Sequence, residues 1–371
     1  MSLDVKASRE LQAEVLNPSL CSLCGACVGM CPYWVAHRGR IVALDECNLT
    51  QGRCYVFCPR TSLDLDLLSQ TAFGTPYAAD ELGTMQRITM ARATDGDIRS
   101  KGQYGGTVTA LTSFALEQEL IDAAVLTASD GNMLPGGTLA STAAQVRDRA
   151  KSNYVAAPTL AAFNRESSRE DVQRIAVVAT PCQALALAKM RASPLENRNN
   201  IDKLNLVVGL FCTWALRYDD FARFLAEKVP LGQIVKLDIP PPPANIFQVF
   251  TESDRIDIPL DQVRPFIRPG CDVCLDMTAE FTDISVGAAE GVAGWNTLIV
   301  RSDAGRELVE AAQAKGVIET KPLPDENLAH LKEASLNKKK RGLKKVIETS
   351  GSEENLLYLR LTGETVTELL S

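Results

Sequence analysis

The chain has 371 residues, of which 23% are charged and 46% are apolar, and its net charge is −7. This composition is ordinary for a globular protein with room for two or three domains, and the acidic balance excludes a general affinity for nucleic acid. The polar N-terminus shows no signal-peptide pattern, and no apolar stretch approaches the roughly 20 residues of a membrane span, so we expect a cytoplasmic protein.

The eleven cysteines are the most informative feature of the sequence. Thiols stay reduced in the cytoplasm, so these cysteines indicate metal ligands and not disulfides. They concentrate between residues 21 and 58, and the remaining four lie far apart. We therefore predict an α+β ferredoxin-like domain over residues 1–75, a larger body over 76–345 and a C-terminal helical tail over 346–371.

The first cysteines along the chain have the spacing of a bacterial ferredoxin. The run reads Cys21-x2-Cys24-x2-Cys27-x3-Cys31-Pro32, and a second group comprises Cys47, Cys54 and Cys58-Pro59. Three thiolates separated by two residues can bind three corners of one cubane, whereas the cysteine before the proline is directed to another cluster. This crossed pattern assigns one [4Fe–4S] cluster to a first set, defined as Cys21, Cys24, Cys27 and Cys58.

The remaining N-terminal cysteines, Cys31, Cys47 and Cys54, form a second set that is one ligand short. Thr50 stands where a fourth cysteine would be expected. Three alternatives stay open: a [3Fe–4S] cluster, a [4Fe–4S] cluster with another kind of ligand, or three buried cysteines without a cluster. For the first set the alternative is zinc, which also binds C-x2-C motifs, but four close cysteines that end in Cys-Pro argue against it.

Beyond the cysteine-rich region the pattern changes to alternating helices and strands. Residues 67–85, interrupted by glycine and proline, predict a linker. The later pattern predicts a helix over 107–120, strands over 123–127, 175–179 and 206–211, a stiff proline loop over 240–243, a hairpin over 246–250 and 256–260, a strand over 296–301 and a helix from about residue 302. The order predicts an α/β body with a partly parallel sheet. The basic run 338–345 predicts a solvated helix face.

The other four cysteines, Cys182, Cys212, Cys271 and Cys274, are called the body set here. Cys182 and Cys212 each follow a predicted buried strand, and the carboxyl ends of such strands meet at one edge of a sheet. With the Cys271-x2-Cys274 pair they can complete a further cluster site. The alternative is that Cys182 and Cys212 are small core residues, because free cysteine is often buried.

Several ordered motifs resemble the beta subunits of coenzyme F420-reducing hydrogenase and F420-dependent formate dehydrogenase. The residues 105–111 (GGTVTAL) resemble that family's "GGxVTAL", and 180–183 (TPCQ), 211–212 (FC), 271–276 (CDVCLD) and 283–287 (DISVG) are similar to further motifs. The resemblance covers nearly the whole chain. Ala288 departs from it, because the family has an acidic residue in that position.

The resemblance implies a non-covalent FAD beside an embedded [4Fe–4S] cluster held by the body set. It places the flavin near Gly105, Gly106, Thr107 and Gln183, and near Lys151-Ser152, which resembles a "GSKY" segment although the glycine is missing. Glycines before a helix also suit an anion at a helix N-terminus, although a tight turn alone explains such a pair. The expected cofactors are thus FAD and two [4Fe–4S] clusters, with a third, [3Fe–4S] or [4Fe–4S], if the second set is filled.

The resulting hypothesis is a flavin-dependent iron–sulfur oxidoreductase subunit. It would exchange a hydride with a soluble carrier, most simply coenzyme F420, because a flavin can join two-electron and one-electron chemistry. Electrons would then pass to or from a partner subunit of hydrogenase, formate dehydrogenase or heterodisulfide reductase type. No side chain stands out as an acid or base. The alternatives are a ferredoxin-dependent reductase of another organic substrate and a flavin-free electron relay.

Overall fold

The structure, a computed structural model, describes residues 3–129, 133–240 and 244–370. Its strands are β1 (Trp34–His37), β2 (Arg40–Ala43), β3 (Leu63–Asp64), β4 (Arg87–Ala93), β5 (Ala123–Ser129), β6 (Pro135–Ala140), β7 (Ile175–Ala179), β8 (Leu204–Leu210), β9 (Lys236–Asp238), β10 (Ile246–Phe250), β11 (Arg255–Pro259), β12 (Ile284–Ala288), β13 (Asn296–Val300), β14 (Ile318–Lys321) and β15 (Leu359–Arg360).

Helices separate most of these strands. They are α1 (Ser8–Leu11), α2 (Arg53–Val56), α3 (Leu65–Phe73), α4 (Gly96–Lys101), α5 (Thr107–Glu117), α6 (Ala143–Asp148), α7 (Leu160–Glu166), α8 (Pro181–Arg191), α9 (Tyr218–Ala226), α10 (Leu260–Val263), α11 (Pro269–Asp272), α12 (Asp303–Ala314), α13 (Asp325–Ser350) and α14 (Gly363–Leu370). A π-helical turn over Gln12–Leu16 follows α1. Among the described residues, no helix combines the length and apolar character that a membrane crossing needs.

The main sheet confirms the predicted α/β body. Within the described residues it has the strand order β14-β4-β13-β12-β8-β7-β5-β6. The central strands β12, β8, β7 and β5 pair in parallel, and the flanking strands pair antiparallel. Strand β7 is buried at every residue, as expected for a parallel strand with helices on both faces. The parallel strands therefore end at one common edge.

Local signals at the element ends also agree with the sequence. Ser302 caps α12 by accepting a hydrogen bond from the Gly305 backbone N–H, where a helix start was predicted. The predicted hairpin is formed by β10 and β11, and β9 extends it to a separate antiparallel sheet. Most of the proline loop predicted over 240–243 lies outside the described residues.

The cysteine-rich region is small and mixed in structure, as predicted, but it does not stand apart from the rest. Its hairpin β1–β2 and helices α1 to α3 surround the first seven cysteines. Leu20 and Tyr55 share one buried core with Leu185 of α8 and Leu343 of α13. Strand β15, close to the C-terminus, pairs in parallel with β3. The division at residues 75 and 345 therefore stays a prediction about folding units, and α13 runs through residue 345 without a break.

Two predictions about surface segments need correction. The first seven residues of the predicted linker, 67–73, belong to α3, a helix that buries Leu68 and ends at the left-handed Gly74, whereas residues 74–85 contain no helix or strand, as predicted. The basic run 338–345 lies in α13, where Lys338 and Lys339 are buried. Their burial has a physical reason, because each ammonium group has buried acceptors; Lys339 forms an ion pair with Glu280.

Candidate functional site

A cavity of about 840 Å³ lies at the edge where the parallel strands end. We call it the sheet-edge cavity. Thr127 of β5, Val178 of β7, Leu210 of β8 and Gly287 of β12 line it from below. Its size lies within the usual 300–1,000 Å³ of small-molecule sites, and this edge is where open α/β sheets bind ligands. The topology of the sheet thus creates a candidate binding site.

The body set lines this cavity: Cys182, Cys212, Cys271 and Cys274. Cys182 lies in the first turn of α8, which is fixed by a capping box between Thr180 and Gln183. Cys212 follows the adjacent strand β8, and its backbone N–H donates to the Met277 carbonyl over 2.8 Å. Two cysteines that are thirty positions apart in the sequence are neighbours here because β7 and β8 pair directly.

The other two cysteines of the body set come from a short turn. Cys271 lies in α11, and its sulfur accepts a hydrogen bond from the Ala215 backbone N–H at 3.4 Å. Cys274 follows two residues after that helix, and α13 packs closely against it. A Cβ at Gly342 would lie 2.7 Å from the Cys274 carbonyl, so only glycine allows this approach.

Buried cations surround the body set. Burial raises the pKa of Cys212, and that of Cys271 to about 11. Burial acts in the same direction on Cys274, but the charges of Lys338 and Arg60 outweigh it and lower the pKa of that thiol. Lys338 also donates through Nζ to the Cys212 carbonyl. The surroundings therefore suit a group with net negative charge, which thiolate-ligated clusters are.

The donor set of the body suits a [4Fe–4S] cluster. Its four cysteines line one cavity, and their thiols interact electrostatically with one another. A [4Fe–4S] cubane is bound by four cysteine thiolates, one at each iron, so the residues fit this group.

The first set is also brought together. Burial raises the pKa of the Cys27 thiol well above its usual value, and the charges of Cys21, Cys24 and Cys58 add to this effect. Burial acts likewise on Cys24, where the charge of Cys182 is the strongest contribution from another thiol. The first set and the body set are therefore neighbours, although they come from different regions of the sequence.

The body holds the loop of the first set through its backbone. Asn164 of α7 donates through Nδ2 to the carbonyls of residues 25, 26 and 28, at 3.3, 3.1 and 2.7 Å. Arg268 donates to the Cys21 carbonyl at 3.0 Å, and Lys189 of α8 donates to the Cys58 carbonyl at 2.8 Å. These contacts fix the ligand loops relative to the cavity.

The second set lies further out. Burial raises the pKa of Cys54 to about 11, and the charges of Cys31 and Cys47 contribute in the same direction. The three cysteines are therefore close together, while Thr50, which occupies the missing ligand position, is exposed. The structure brings three sulfurs together and leaves the nature of that site a prediction.

Most of the residues expected near the flavin line the cavity, namely Gly106, Thr107, Lys151, Ser152 and Gln183. Gly105 lies behind the wall, where a Cβ would meet the Ala91 carbonyl at 2.8 Å. Gly106 adopts a left-handed backbone with φ of 68°, so a side chain there would be strained regardless of any ligand. The glycine pair thus has a structural reason of its own.

Two of these polar side chains already form hydrogen bonds within the protein. The Thr107 hydroxyl lies 3.1 Å from the Ala91 carbonyl and 2.9 Å from Asn296 Oδ1, so its one proton is used within the protein. Gln183 donates to the Ala157 carbonyl and to Thr159, and accepts from the Thr180 backbone N–H. Thr107 and Gln183 would therefore shape the cavity wall around a ligand, since their polar atoms already have partners within the protein.

Sequence reasoning missed several cavity residues. Gln103 donates to the Tyr154 hydroxyl at 3.0 Å and to Asp238 at 3.1 Å, and it accepts from Ser152 at 2.9 Å. Arg60 and Lys338 also line the cavity. No local pattern signals these residues, because their partners lie far away along the chain.

The comparisons with known proteins agree with this site. Residues 14–33 match the 4Fe-4S binding domain, which covers the first cysteine run. Residues 88–164 and 172–326 match "Coenzyme F420 hydrogenase/dehydrogenase, beta subunit", N-terminal and C-terminal parts respectively. The fold and the site thus define an iron–sulfur oxidoreductase built on an α/β sheet.

Individual relatives point the same way. The coenzyme F420 hydrogenase subunit beta of Methanothermobacter thermautotrophicus is 31% identical over 271 residues, which cover 71% of this chain and 95% of the relative. The F(420)H(2) dehydrogenase of Methanosarcina mazei has a subunit that is 27% identical over 320 residues, 84% of this chain and 88% of the relative. A chain of the F420-reducing [NiFe] hydrogenase complex from Methanosarcina barkeri superposes with a TM-score of 0.68 at 29% identity, covering 72% of this chain and 93% of that one.

This chain belongs to the family of coenzyme F420 hydrogenase/dehydrogenase beta subunits. The resemblance noted in the sequence and the prediction of an oxidoreductase are both confirmed.

Proposed function

We propose that this chain exchanges a hydride with coenzyme F420 at an FAD held in the sheet-edge cavity. Single electrons then pass through [4Fe–4S] clusters at the body set and the first set, to or from a partner subunit. The observation that carries the proposal is that one cavity is lined both by the body set and by the segments that the family resemblance assigns to the flavin.

The residues suit the phosphate groups of FAD. Helix α5 opens at the cavity with Thr107, Val108 and Thr109 in its lining, and the positive end of a helix favours anions. Lys151 adds a positive charge to the same lining. The hydrogen bond from Ser152 to Gln103 ties its segment to the loop before α5. Two separate segments of the chain would therefore grip one ligand.

FAD, when bound, exchanges a hydride with one reactant and single electrons with another. The strand ends supply an apolar wall that includes Val178, Leu210 and Phe211. Phe211 covers Gly287, where a Cβ would lie only 1.9 Å from the phenyl ring. This wall would exclude water from the ligand, and the body set lines the same cavity as the electron acceptor or donor.

The route onward follows from the neighbouring cysteine sets. Cys182 of the body set is close enough to Cys24 to influence its thiol. The backbone clamps from Asn164, Arg268 and Lys189 would keep this separation fixed. Relatives are subunits of an F420 hydrogenase, which supports a partner subunit of the hydrogenase, formate dehydrogenase or heterodisulfide reductase type.

The decisive experiment is cofactor analysis of anaerobically purified protein. We expect about one FAD per chain after acid release. We also expect about eight iron atoms, or about eleven or twelve if the second set is filled. Reduced coenzyme F420 should bleach the flavin absorbance. Intact iron without FAD would instead support a flavin-free relay, and a flavin reduced only by ferredoxin would support the reductase alternative.

A pair of lysine variants tests the location of the flavin. Lys151→Glu reverses an exposed charge in the cavity lining, so the FAD content should fall several-fold while the iron content stays the same. Lys315→Glu, at the exposed end of α12, makes the same change on a helix that contributes no residue to the lining and should leave both unchanged. Equal FAD in the two variants would remove Lys151 from the site.

A further inference from the structure

Arg60 belongs to the ferredoxin-like region, two positions after Cys58, yet it reaches the body set. Its side chain is buried, with 3% of its surface exposed. It lines the sheet-edge cavity and also a second, small cavity. Cys182 and Cys274 line both of these cavities as well. The guanidinium of Arg60 therefore lies beside ligands of the body set, while its backbone is two residues away from Cys58, a ligand of the first set.

Fixed contacts hold this guanidinium in place. Nη2 donates to the Gly270 carbonyl at 2.9 Å, and Nη1 is 3.4 Å from the Pro59 carbonyl. The guanidinium carbon lies 5.0 Å from the centre of the Tyr358 ring, whose hydroxyl donates to the Val273 carbonyl. The side chain therefore packs between the N-terminal region, the body and the C-terminal segment.

One donor of Arg60 is left without a partner of normal hydrogen-bond geometry. Its Nε is buried and forms no hydrogen bond within the described residues, while the guanidinium lies near the thiol of Cys274, itself an expected cluster ligand. A buried donor without a partner is costly, and each such group in a native fold needs an explanation. An acceptor carried by a bound group, such as the sulfur of a cluster, would supply the missing partner.

The charge of Arg60 is close to both sets. Its Nη2 donates to the carbonyl of Gly270, the residue directly before Cys271 of the body set. A Cβ at Gly270 would lie 3.0 Å from the Cys21 carbonyl of the first set, so this turn packs against the ligand loops of both sets. No carboxylate pairs with the guanidinium in the described part of the chain. Its charge is thus available to the thiolates.

We propose that Arg60 is a shared counter-charge that favours the reduced state of both the embedded cluster and the first-set cluster. This inference rests on the proposed function, since it requires clusters at both sets. Reduction adds one electron and one negative charge to a cluster, with no bond made or broken. A buried cation near both clusters stabilises that added charge in either position, so it raises the reduction potential of each cluster.

Two other cations provide controls that each address one cluster. Lys338 contacts the Cys212 carbonyl in the body set. Arg268 donates to the Cys21 carbonyl in the first set. The variants Arg60→Gln, Lys338→Gln and Arg268→Gln each remove one positive charge and keep a hydrogen-bonding side chain.

The test is an anaerobic redox titration followed by EPR, with the two signals assigned by Cys24→Ala and Cys274→Ala. In Arg60→Gln, the equilibrium constant for one-electron reduction of each cluster should fall about tenfold, a shift of about 59 mV to more negative potential. Lys338→Gln should shift only the embedded cluster, and Arg268→Gln only the first-set cluster. Arg60→Lys, which keeps the charge, should restore most of the potential, with iron content unchanged.

Other results would overturn the inference. In Arg60→Gln, unchanged potentials or a shift of one cluster alone would exclude a shared role. Loss of iron in both Arg60→Gln and Arg60→Lys would make Arg60 a folding residue. A wild-type protein with fewer than two titrating clusters would contradict the proposed function itself, and the inference with it. Failure of the inference would appear only in the Arg60 variants, whereas failure of the proposed function would already appear in the wild-type protein. The two failures can therefore be distinguished.

Discussion

The first and second cysteine sets come from the same stretch of about forty residues, but their surroundings differ sharply. Cys24 of the first set is only 7% exposed, and its loop is clamped by Asn164. The second set adjoins the β1–β2 hairpin and the following loop, where Leu44 and Leu49 are 63% and 64% exposed. The ferredoxin-like spacing therefore produces an inner site at the first set and an outer site at the second set.

The difference bears on the proposed electron route. The loop of the inner site is clamped beside the body set, as the proposed transfer between these two sites requires. The outer site is near two exposed leucines. Within the proposed function, a cluster at the second set would therefore lie nearer the protein surface than the first-set cluster.

The largest effect should follow from removing a ligand of the body set. Cys274→Ala should cost about four iron atoms per chain and strand electrons on the flavin. It should also lower the free energy of unfolding by about 3–5 kcal/mol, because the buried charges of Arg60 and Lys338 would lose the thiolate of Cys274. Iron analysis and denaturation measure both. Cys24→Ala is the contrast, since flavin reduction by F420 should survive it; the opposite pattern would reverse our order of carriers.

The clamp on the inner site is the next feature to break. Asn164→Leu removes three hydrogen bonds to buried carbonyls and the acceptor of the Asn199 side chain. We expect a loss of about 3 kcal/mol in the free energy of unfolding and faster loss of first-set iron to a chelator. Asn205→Leu, which removes one exposed contact to the Leu120 carbonyl, is the matched control. Similar effects of both variants would mean that the clamp does not distinguish the inner site.

Removal of an outer ligand should be milder. Cys31→Ala should remove about three or four iron atoms if the second set is filled. The free energy of unfolding should change by less than about 1 kcal/mol, since this side chain is only partly buried. The iron content and the EPR spectrum of the wild type and the variant show whether the second set holds a cluster. An unchanged iron content would establish three cysteines without a cluster.

The smallest effect concerns the surfaces of the two sites. Leu44→Ala should change the free energy of unfolding by no more than about 0.5 kcal/mol, because its side chain is mostly in water. The same truncation at the buried Leu20, next to the inner site, should cost about 2–5 kcal/mol. Chemical denaturation of both variants measures the two losses in the free energy of unfolding. Equal losses would contradict the distinction between an inner and an outer site.

The sequence by itself predicted the parts that depend on short-range patterns. The spacing of Cys21, Cys24 and Cys27 is local, so it could be recognised without a fold. The buried strand 175–179 and the capped start of α12 were likewise predicted, because the side-chain period and the capping residues are local properties. From these the α/β class and the meeting of Cys182 with Cys212 followed.

Only the tertiary structure decided what surrounds the clusters. Arg60 meets Cys274 across more than two hundred residues, and this contact depends on how the cysteine-rich region packs against the body. Lys338 and Lys339 looked like a solvated face, because sequence periodicity records which side chains are polar and not which buried acceptors await them. Gly342 lets α13 approach Cys274, so Lys338 enters the site while Lys339 pairs with Glu280. A charge is buried at tolerable cost only where a counter-charge or hydrogen-bond acceptors meet it, and those partners come together only once the chain has folded.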